Sequence, residues 1–572
     1  NKYAGIDFSI IDPASNNGNS TLVISGSEFR LPGSAEIKVN SKRNYSYLYL
    51  LHAGAWGPKN GQQLGTVSVK YSDGTSQKFP VIRARDIGDT WNPVLSYANA
   101  KVGLRLEKKK SACGLYVSAF HLDRKKRVAS IDFNVDKYVW GIAGISLGNW
   151  PLPESVEPPY IIRAGKEWRA LENSGDILPG SPLDFSKNLD APAGKYGWLR
   201  ATGKGNFEFE KRPGKTIRFT GTNICQTAVC PSHKETDRLV KRLAAEGFNS
   251  IRIHQHEMQL IDYSHRDSLH FNKKKIEDFD YLIFRLKEAG IYITMDLLSA
   301  RSIRPGDNIA ECKSGSVKMR KALTPVSPSA LKNWKDYARN FLTRKNTYTG
   351  KSIIEEPAFI FFTVDNEGCL FQWWKRTRSK YIIAAYHKWL KKTGKYNQQT
   401  AIKRDGIFEH FLYECQQKDQ REKLRFIKDE LGAKFLLNNH NNLPHDPKVA
   451  SLRDDFPMVD MHLYVNHPVF PVRAFKLPYY CAQKSELGSE LYDIGRRAVT
   501  RISGKPFVLT EVNWCSPTFS RAEMGPVFGA CASLQGWDGM FSFALTHHDE
   551  DLREHRAMTT LNLANDPLAG AG

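Results

Sequence analysis

AFIFFTVDNEG, residues 358–368, is the stretch on which the reading of this 572-residue chain turns. Its first residues are apolar except for Thr363, and then Asp365, Asn366 and Glu367 arrive together ahead of a glycine. A strand with one wet face alternates; a run apolar throughout is buried on both faces, as in a parallel sheet. Polar groups gathered at the C-terminal end alone are what the mouth of a parallel barrel requires.

The same pattern recurs on both sides. TIRFTGTNI (216–224), NSIRIHQHE (249–257) and IYITMDLL (291–298) precede it; KFLLNNHNN (434–442), MVDMHLYVNHP (458–468), PFVLTEVNW (506–514) and GMFSFALTHH (539–548) follow. Helical periodicity fills intervals between them: KETDRLVKRLAAEG (234–247), FDYLIFRLKEAG (279–290) and SALKNWKDYARNFLTR (329–344). Eight strands predict an α/β fold, a (β/α)8 barrel over residues 215–572. The strand ends collect Asn223, Arg252, His254, His256, Asp296, Asn366, Glu367, Asn438, Asn439, His462, Tyr464, Glu511, Asn513 and His547.

Residues 1–150 have a different rhythm, with short alternating segments (AEIKVN, YSYLYLLHAG, TVSVKYSDGT, CGLYVSAF, SIDFNVD) separated by turns such as SNNGN and SDG. These predict an all-β sandwich, similar to a carbohydrate-binding module. Residues 151–214, rich in Pro and Gly (PLPESVEPPY, ILPGSPLDF), read as a linker and a β-rich preamble.

A hydrophobic fraction of 41% with 25% charged residues is that of a folded protein. No run of about 18 apolar residues is present, so no membrane span is expected. The chain begins at Asn1 without a signal-like segment and is read as a processed secreted or periplasmic form. Nine cysteines lack the paired spacing of a zinc site; Cys225 and Cys230 are close enough in sequence to bridge, and buried thiols are the simpler reading. His254, His256 and Glu257 resemble metal ligands only superficially, and neither metal nor cofactor is expected. A net charge of +22 favours anionic partners. No zinc-finger, RNP-like or basic-zipper pattern accompanies it, so a nucleic-acid partner is not expected.

Cleaving a glycosidic bond needs one carboxyl to protonate the leaving oxygen and another to attack the anomeric carbon or activate water. Glu367 and Glu511 occupy the ends of two apolar strands. With Arg252 on the second strand, Asn366–Glu367 after the fourth, His462-x-Tyr464 on the sixth and Glu511 on the seventh, residues 215–560 resemble the clan A glycoside hydrolases, the family 5 cellulase-like group in particular. The resemblance implies a retaining glycosidase with Glu367 as acid/base and Glu511 as nucleophile. It implies that Asn366 binds a sugar hydroxyl, Arg252 supports Glu511, and Tyr464 donates a hydrogen bond to it. A negative neighbour is expected to raise the pKa of Glu367.

The family's strand-eight Trp has no counterpart in GMFSFAL, which offers Phe541 and Phe543; Trp514 and Trp537 are candidate substitutes. Asp296 stands where the family often has His. His254 and Asp296 are further candidate substrate contacts. Trp373 and Trp374, followed by the basic segment HKWLKKTGKYNQQTAIKR (387–404), lie just after Glu367 and suggest an aromatic and cationic subsite. The substrate expected is therefore an anionic polysaccharide, a sulfated galactan such as carrageenan or an agar-type glycan. A neutral β-glucan or β-mannan is the alternative, and a non-catalytic glycan-binding barrel is the alternative of another class.

Overall fold

The computed structural model describes residues 1–26, 31–58, 61–91, 93, 97–108, 111–152, 165, 177–395, 406–442, 447–470, 474–476, 479–553 and 559–566. Most of the expected linker, the end of the EKKK run and the 396–404 part of the basic segment lie outside these residues. The chain divides into two compact units, residues 1–171 with 470–479, and 172–469 with 480–572.

The first unit is the expected sandwich. One antiparallel sheet orders Leu22–Ser25, Val139–Gly148, Tyr47–Ala55, Ser111–His121 and Ala100–Lys108; the other orders Ser34–Lys38, Val128–Asn134, Gln63–Tyr71 and Ser76–Ile82. Ile24, Leu48, Leu50, Val67, Val69, Ile131, Phe133 and Trp140 interdigitate between them. The polar groups buried there satisfy each other: Trp140 Nε1 donates to His52 Nδ1 at 3.0 Å, and His52 Nε2 meets Ser118 Oγ at 2.8 Å. Burial outweighs the neighbouring Asp86 and lowers the His52 pKa to about 4, so the imidazole stays neutral in its core.

The second unit contains eight parallel strands: β1 Phe219–Cys225, β2 Ser250–His254, β3 Tyr292–Asp296, β4 Phe359–Thr363, β5 Leu436–Asn438, β6 Val459–Val465, β7 Phe507–Trp514 and β8 Gly539–Thr546. They pair in the order β5-β4-β3-β2-β1-β8-β7-β6. Between the edges β5 and β6 no ladder forms, but the His462 amide donates to the Asn441 carbonyl at 2.9 Å across the gap. Helices connect the strands, with starts set by local chemistry. Ser232 and Glu235 form a capping box before His233–Ala245, and Ser327 caps Pro328–Thr343 with Pro at its first position.

The β-rich preamble belongs to this unit. Its three-stranded sheet, Leu199–Ala201, Phe207–Phe209 and Arg212–Ile217, closes the end opposite the polar strand ends. Phe209 stacks on Tyr292 with centroids 4.9 Å apart, and Phe207 lies 6.0 Å from Phe219 and 6.4 Å from Phe361. With one end filled by aromatic rings, only the other can hold chemistry.

Gly221 on β1 allows Phe541 of β8 to enter that aromatic core. A Cβ at 221 would lie 2.4 Å from Phe541 Cδ1 and 2.8 Å from the Ser250 carbonyl oxygen. Gly221→Ala is therefore expected to lower the thermal unfolding midpoint by the equivalent of about 1–3 kcal/mol; an unchanged midpoint contradicts this packing.

Candidate active site

Period-two alternation turns Arg252 and His254 of β2, His462 and Tyr464 of β6, and Glu511 and Asn513 of β7 to one face of the wall. Arg252 is fully buried. Its Nη1 donates to Glu511 Oε1 at 2.7 Å and Asn223 Oδ1 at 3.1 Å; its Nη2 donates to Asp296 Oδ1 at 2.7 Å and Asn366 Oδ1 at 2.9 Å. The second Asp296 oxygen is 2.5 Å from His254 Nδ1. Burial alone would raise the Asp296 pKa, but Arg252 and His254 hold it well below the ordinary carboxylate range. Arg252 and Asp296 are thus consumed by protein partners. Asp296, expected to contact substrate, instead binds Arg252 and His254, while Arg252 binds Glu511 and Asn366.

Glu511 is 4% exposed. Tyr464 donates its hydroxyl to Glu511 Oε2 at 2.5 Å, as the resemblance implies, while Arg252 holds Oε1. Burial pushes the Glu511 carboxyl up and nearby Glu367 adds to this, yet His462, Arg252 and His254 leave its pKa below the usual value. Its lowered pKa favours the carboxylate form.

Glu367 follows β4 in a left-handed conformation, φ 50°. That backbone is uncommon for a side-chain-bearing residue and persists where its surroundings enforce it. The Glu367 amide donates to Asn441 Oδ1 at 2.8 Å, and its carbonyl accepts from Trp373 Nε1 at 3.1 Å. The preceding Asn366 carbonyl accepts from Lys321 Nζ. One oxygen of Glu367 is 3.6 Å from His462 Nδ1, and the same nitrogen is 3.3 Å from Glu511 Oε2. Those carboxylate oxygens are therefore no farther apart than the two contacts laid end to end.

The protonation of Glu367 departs from expectation. Burial pushes its pKa up, but His462, then Lys321 and Arg376, bring it down to about 2. The expected negative neighbour does exist in Glu511; a cation standing between the two acids outweighs it. His462 carries the complementary shift: burial lowers its pKa, while Glu511, Glu367 and Asp460 raise it above the ordinary value. His462, its pKa raised, thus stands between two carboxylates whose pKa values are lowered.

The aromatic expectations divide. Phe543 at the end of β8 stands at the mouth, 5.7 Å from His254, 5.8 Å from Tyr464 and 5.4 Å from His547, ring to ring. Trp514 and Trp537 are not substitutes for the missing Trp: both are buried against Phe528 in the apolar layer behind β6 and β7. Trp373 and Trp374 are buried too, Trp373 under the Glu367 turn and Trp374 against Phe408, so neither is an open sugar platform. His256 stacks on Phe341 at 4.9 Å, and Glu257 accepts from Ser299. His256 Nδ1 also lies 4.0 Å from Glu257 Oε2, while His254 is turned to Asp296.

Lys321, Asn441 and Asp460 were not singled out from the sequence. Lys321 sits on the helix Val317–Leu323 between β3 and β4, buried, its Nζ 5.4 Å from the Trp373 ring. Asn441 Nδ2 reaches Asn366 Oδ1 at 3.2 Å and Asp460 Oδ2 at 3.3 Å. The repeated Asn of NNHNN was the available signal for Asn441; nothing local marks Lys321.

No protein-family model and no curated protein matches the chain. Among solved structures it is similar to the endo-1,4-β-mannanase from Rhizomucor miehei, with 13% identity over 61% of this chain and 90% of that one and a TM-score of 0.41. It is similar as well to the endo-β-1,4-mannanase from Thermotoga petrophila, with 17% identity, 58% and 68% coverage and a TM-score of 0.37. The β-glucanase from Saccharophagus degradans shows 14% identity, 64% and 88% coverage and a TM-score of 0.35.

Charge on His462 stabilises the fold fully at pH values below its unfolded pKa and is lost as pH rises through its raised folded value. Titration of the His462 ring by NMR is expected to show a pKa above about 6.5, and Glu511→Gln is expected to lower it. A ring that is neutral at pH 6 in the native protein contradicts this electrostatic arrangement.

Proposed function

We propose that the protein is a retaining glycoside hydrolase that cleaves a polysaccharide or its oligosaccharides. The observation that carries this is the shared contact of Glu367 and Glu511 with one nitrogen of His462. The two contacts bring the carboxylates close enough to suit the ~5–5.5 Å separation of retaining pairs.

Glu511 attacks the anomeric carbon as the leaving oxygen takes a proton from Glu367, forming a glycosyl ester; Glu367 then removes a proton from the water that cleaves it. Tyr464 and Arg252 hold one Glu511 oxygen each, which fixes the nucleophile and keeps it charged. Asn366 Oδ1 is occupied by Arg252 and Asn441, so its amide N–H groups serve as the donors for a sugar hydroxyl. The resting proton on His462 and the proton needed on Glu367 belong to one coupled set. Glu367 protonated beside neutral His462 has the same net charge as the resting state, so no proton need be taken up from solvent.

The substrate we favour is an anionic polysaccharide, a sulfated galactan of the carrageenan or agar type, met by a secreted or periplasmic enzyme. The net charge of +22 supports it. A barrel that only binds glycans would have no need for two carboxylates held so close around one imidazole.

The test is product release from sulfated, uronate-bearing and neutral β-glycans by the native protein, Glu367→Gln and Glu511→Gln. Cleavage of a sulfated galactan is expected, weakening as salt rises, with each substitution lowering kcat by at least ~1000-fold. Cleavage of neutral β-glucan or β-mannan alone, insensitive to salt, overturns the anionic assignment. Cleavage that survives both substitutions overturns the mechanism. Tyr464→Phe, which removes one 2.5 Å bond to the nucleophile, should cost about 10- to 100-fold in kcat/KM.

A further inference from the structure

The sandwich carries a groove that the barrel chemistry does not use. It encloses about 810 Å³ at one end of the two sheets, where the strands Tyr47–Ala55 and Ser111–His121 of one face Gln63–Tyr71 and Ser76–Ile82 of the other. Its floor is fixed by hydrogen bonds: the Tyr71 hydroxyl donates to Gln77 Oε1 at 2.6 Å and accepts from the Asp123 amide at 3.1 Å, while Gln77 Nε2 donates to the His121 carbonyl at 3.1 Å. A half-buried aromatic forms one wall. Tyr47 stacks on Tyr49 with centroids 6.0 Å apart and meets His121 edge-on at 5.2 Å, which holds its ring in place.

The rim is the basic run DRKKR, residues 123–127. Asp123 folds it into a tight turn by accepting from the Lys125 amide at 3.0 Å, and Lys126 is spent on Asp73 at 3.1 Å. Arg124 and Lys125 are exposed, line the groove, and have no ion-pair partner among the described residues. Two unspent cations beside an oriented phenol ring match a saccharide bearing sulfate or carboxylate groups. The apolar sugar face lies on the ring, and the anion pairs with guanidinium and ammonium.

We propose that this groove is a second glycan site, which takes an anionic polysaccharide strand through Tyr47, Arg124 and Lys125. It rests on the sandwich alone and does not require the barrel to be a hydrolase. Contacts at exposed cations are individually weak, so the groove tethers a polymer rather than capturing a monosaccharide.

The full-length protein is titrated with dextran sulfate, with unsulfated dextran of the same length, and with single-stranded DNA of matched charge. Dextran sulfate is expected to bind and dextran not to. Arg124→Ala with Lys125→Ala should weaken binding about five- to tenfold. The control pair Lys234→Ala with Lys241→Ala removes the same charge from a barrel helix and should change it less than about twofold. Tyr47→Ala should weaken binding while leaving its salt dependence unchanged. Equal losses in the groove and control pairs overturn the site, as does no binding of dextran sulfate; tighter binding of DNA overturns the glycan assignment. A normal groove in a protein that cleaves no glycan counts against the barrel mechanism alone.

Discussion

Arg252 is the constraint on which the site depends. A guanidinium without solvent access costs several kcal/mol unless it is paired and hydrogen-bonded. Here the acceptors come from four different parts of the wall: Asn223 of β1, Asp296 of β3, Asn366 after β4 and Glu511 of β7. Meeting that requirement sets the register of strands that have no contact in sequence. It also leaves Glu511 charged in a place where burial favours the neutral acid. Burial, Asp296 and Glu511 act together on Arg252, and the two anions prevail, so the cation is held more firmly than in water.

Around this frame the charges are arranged so that a carboxylate pair and one imidazole share a proton. Resting Glu367 is held at about 2 against its burial by His462, Lys321 and Arg376. On the proposed mechanism, a substrate that separates Glu367 from these cations moves the proton toward it, and acid and base roles are set by what enters the site. The left-handed turn at Glu367, braced by Asn441, Trp373 and Lys321, keeps the carboxyl pointed at that exchange.

The barrel was legible in sequence because strands buried on both faces leave no alternation to confuse, and their polar residues cluster at one end. The Glu pair, Arg252 and Tyr464 stood out as polar residues at strand ends, while the roles given to them follow from the resemblance to the family 5 group. Trp514, three residues beyond Glu511 on a strand, points to the opposite face, into the apolar layer. Trp537 precedes β8 and so lies away from its C-terminal end. Trp373 lies on the helix Leu370–Thr377, which turns it inward beneath the Glu367 backbone. Lys321 was not legible, since a lysine in a basic chain acquires meaning only when a fold carries its ammonium to the Asn366 carbonyl. The pKa of Glu367 was misjudged because an anion was foreseen beside it but the imidazole between the two was not.

The proposed nucleophile and acid/base work through a covalent intermediate. The direct measurement is the anomeric configuration of the first product, followed by proton NMR on a cleaved β-linked oligosaccharide before mutarotation. The β anomer is expected to form first. Initial release of the α anomer would mean that water attacks directly and would contradict the roles given to Glu367 and Glu511.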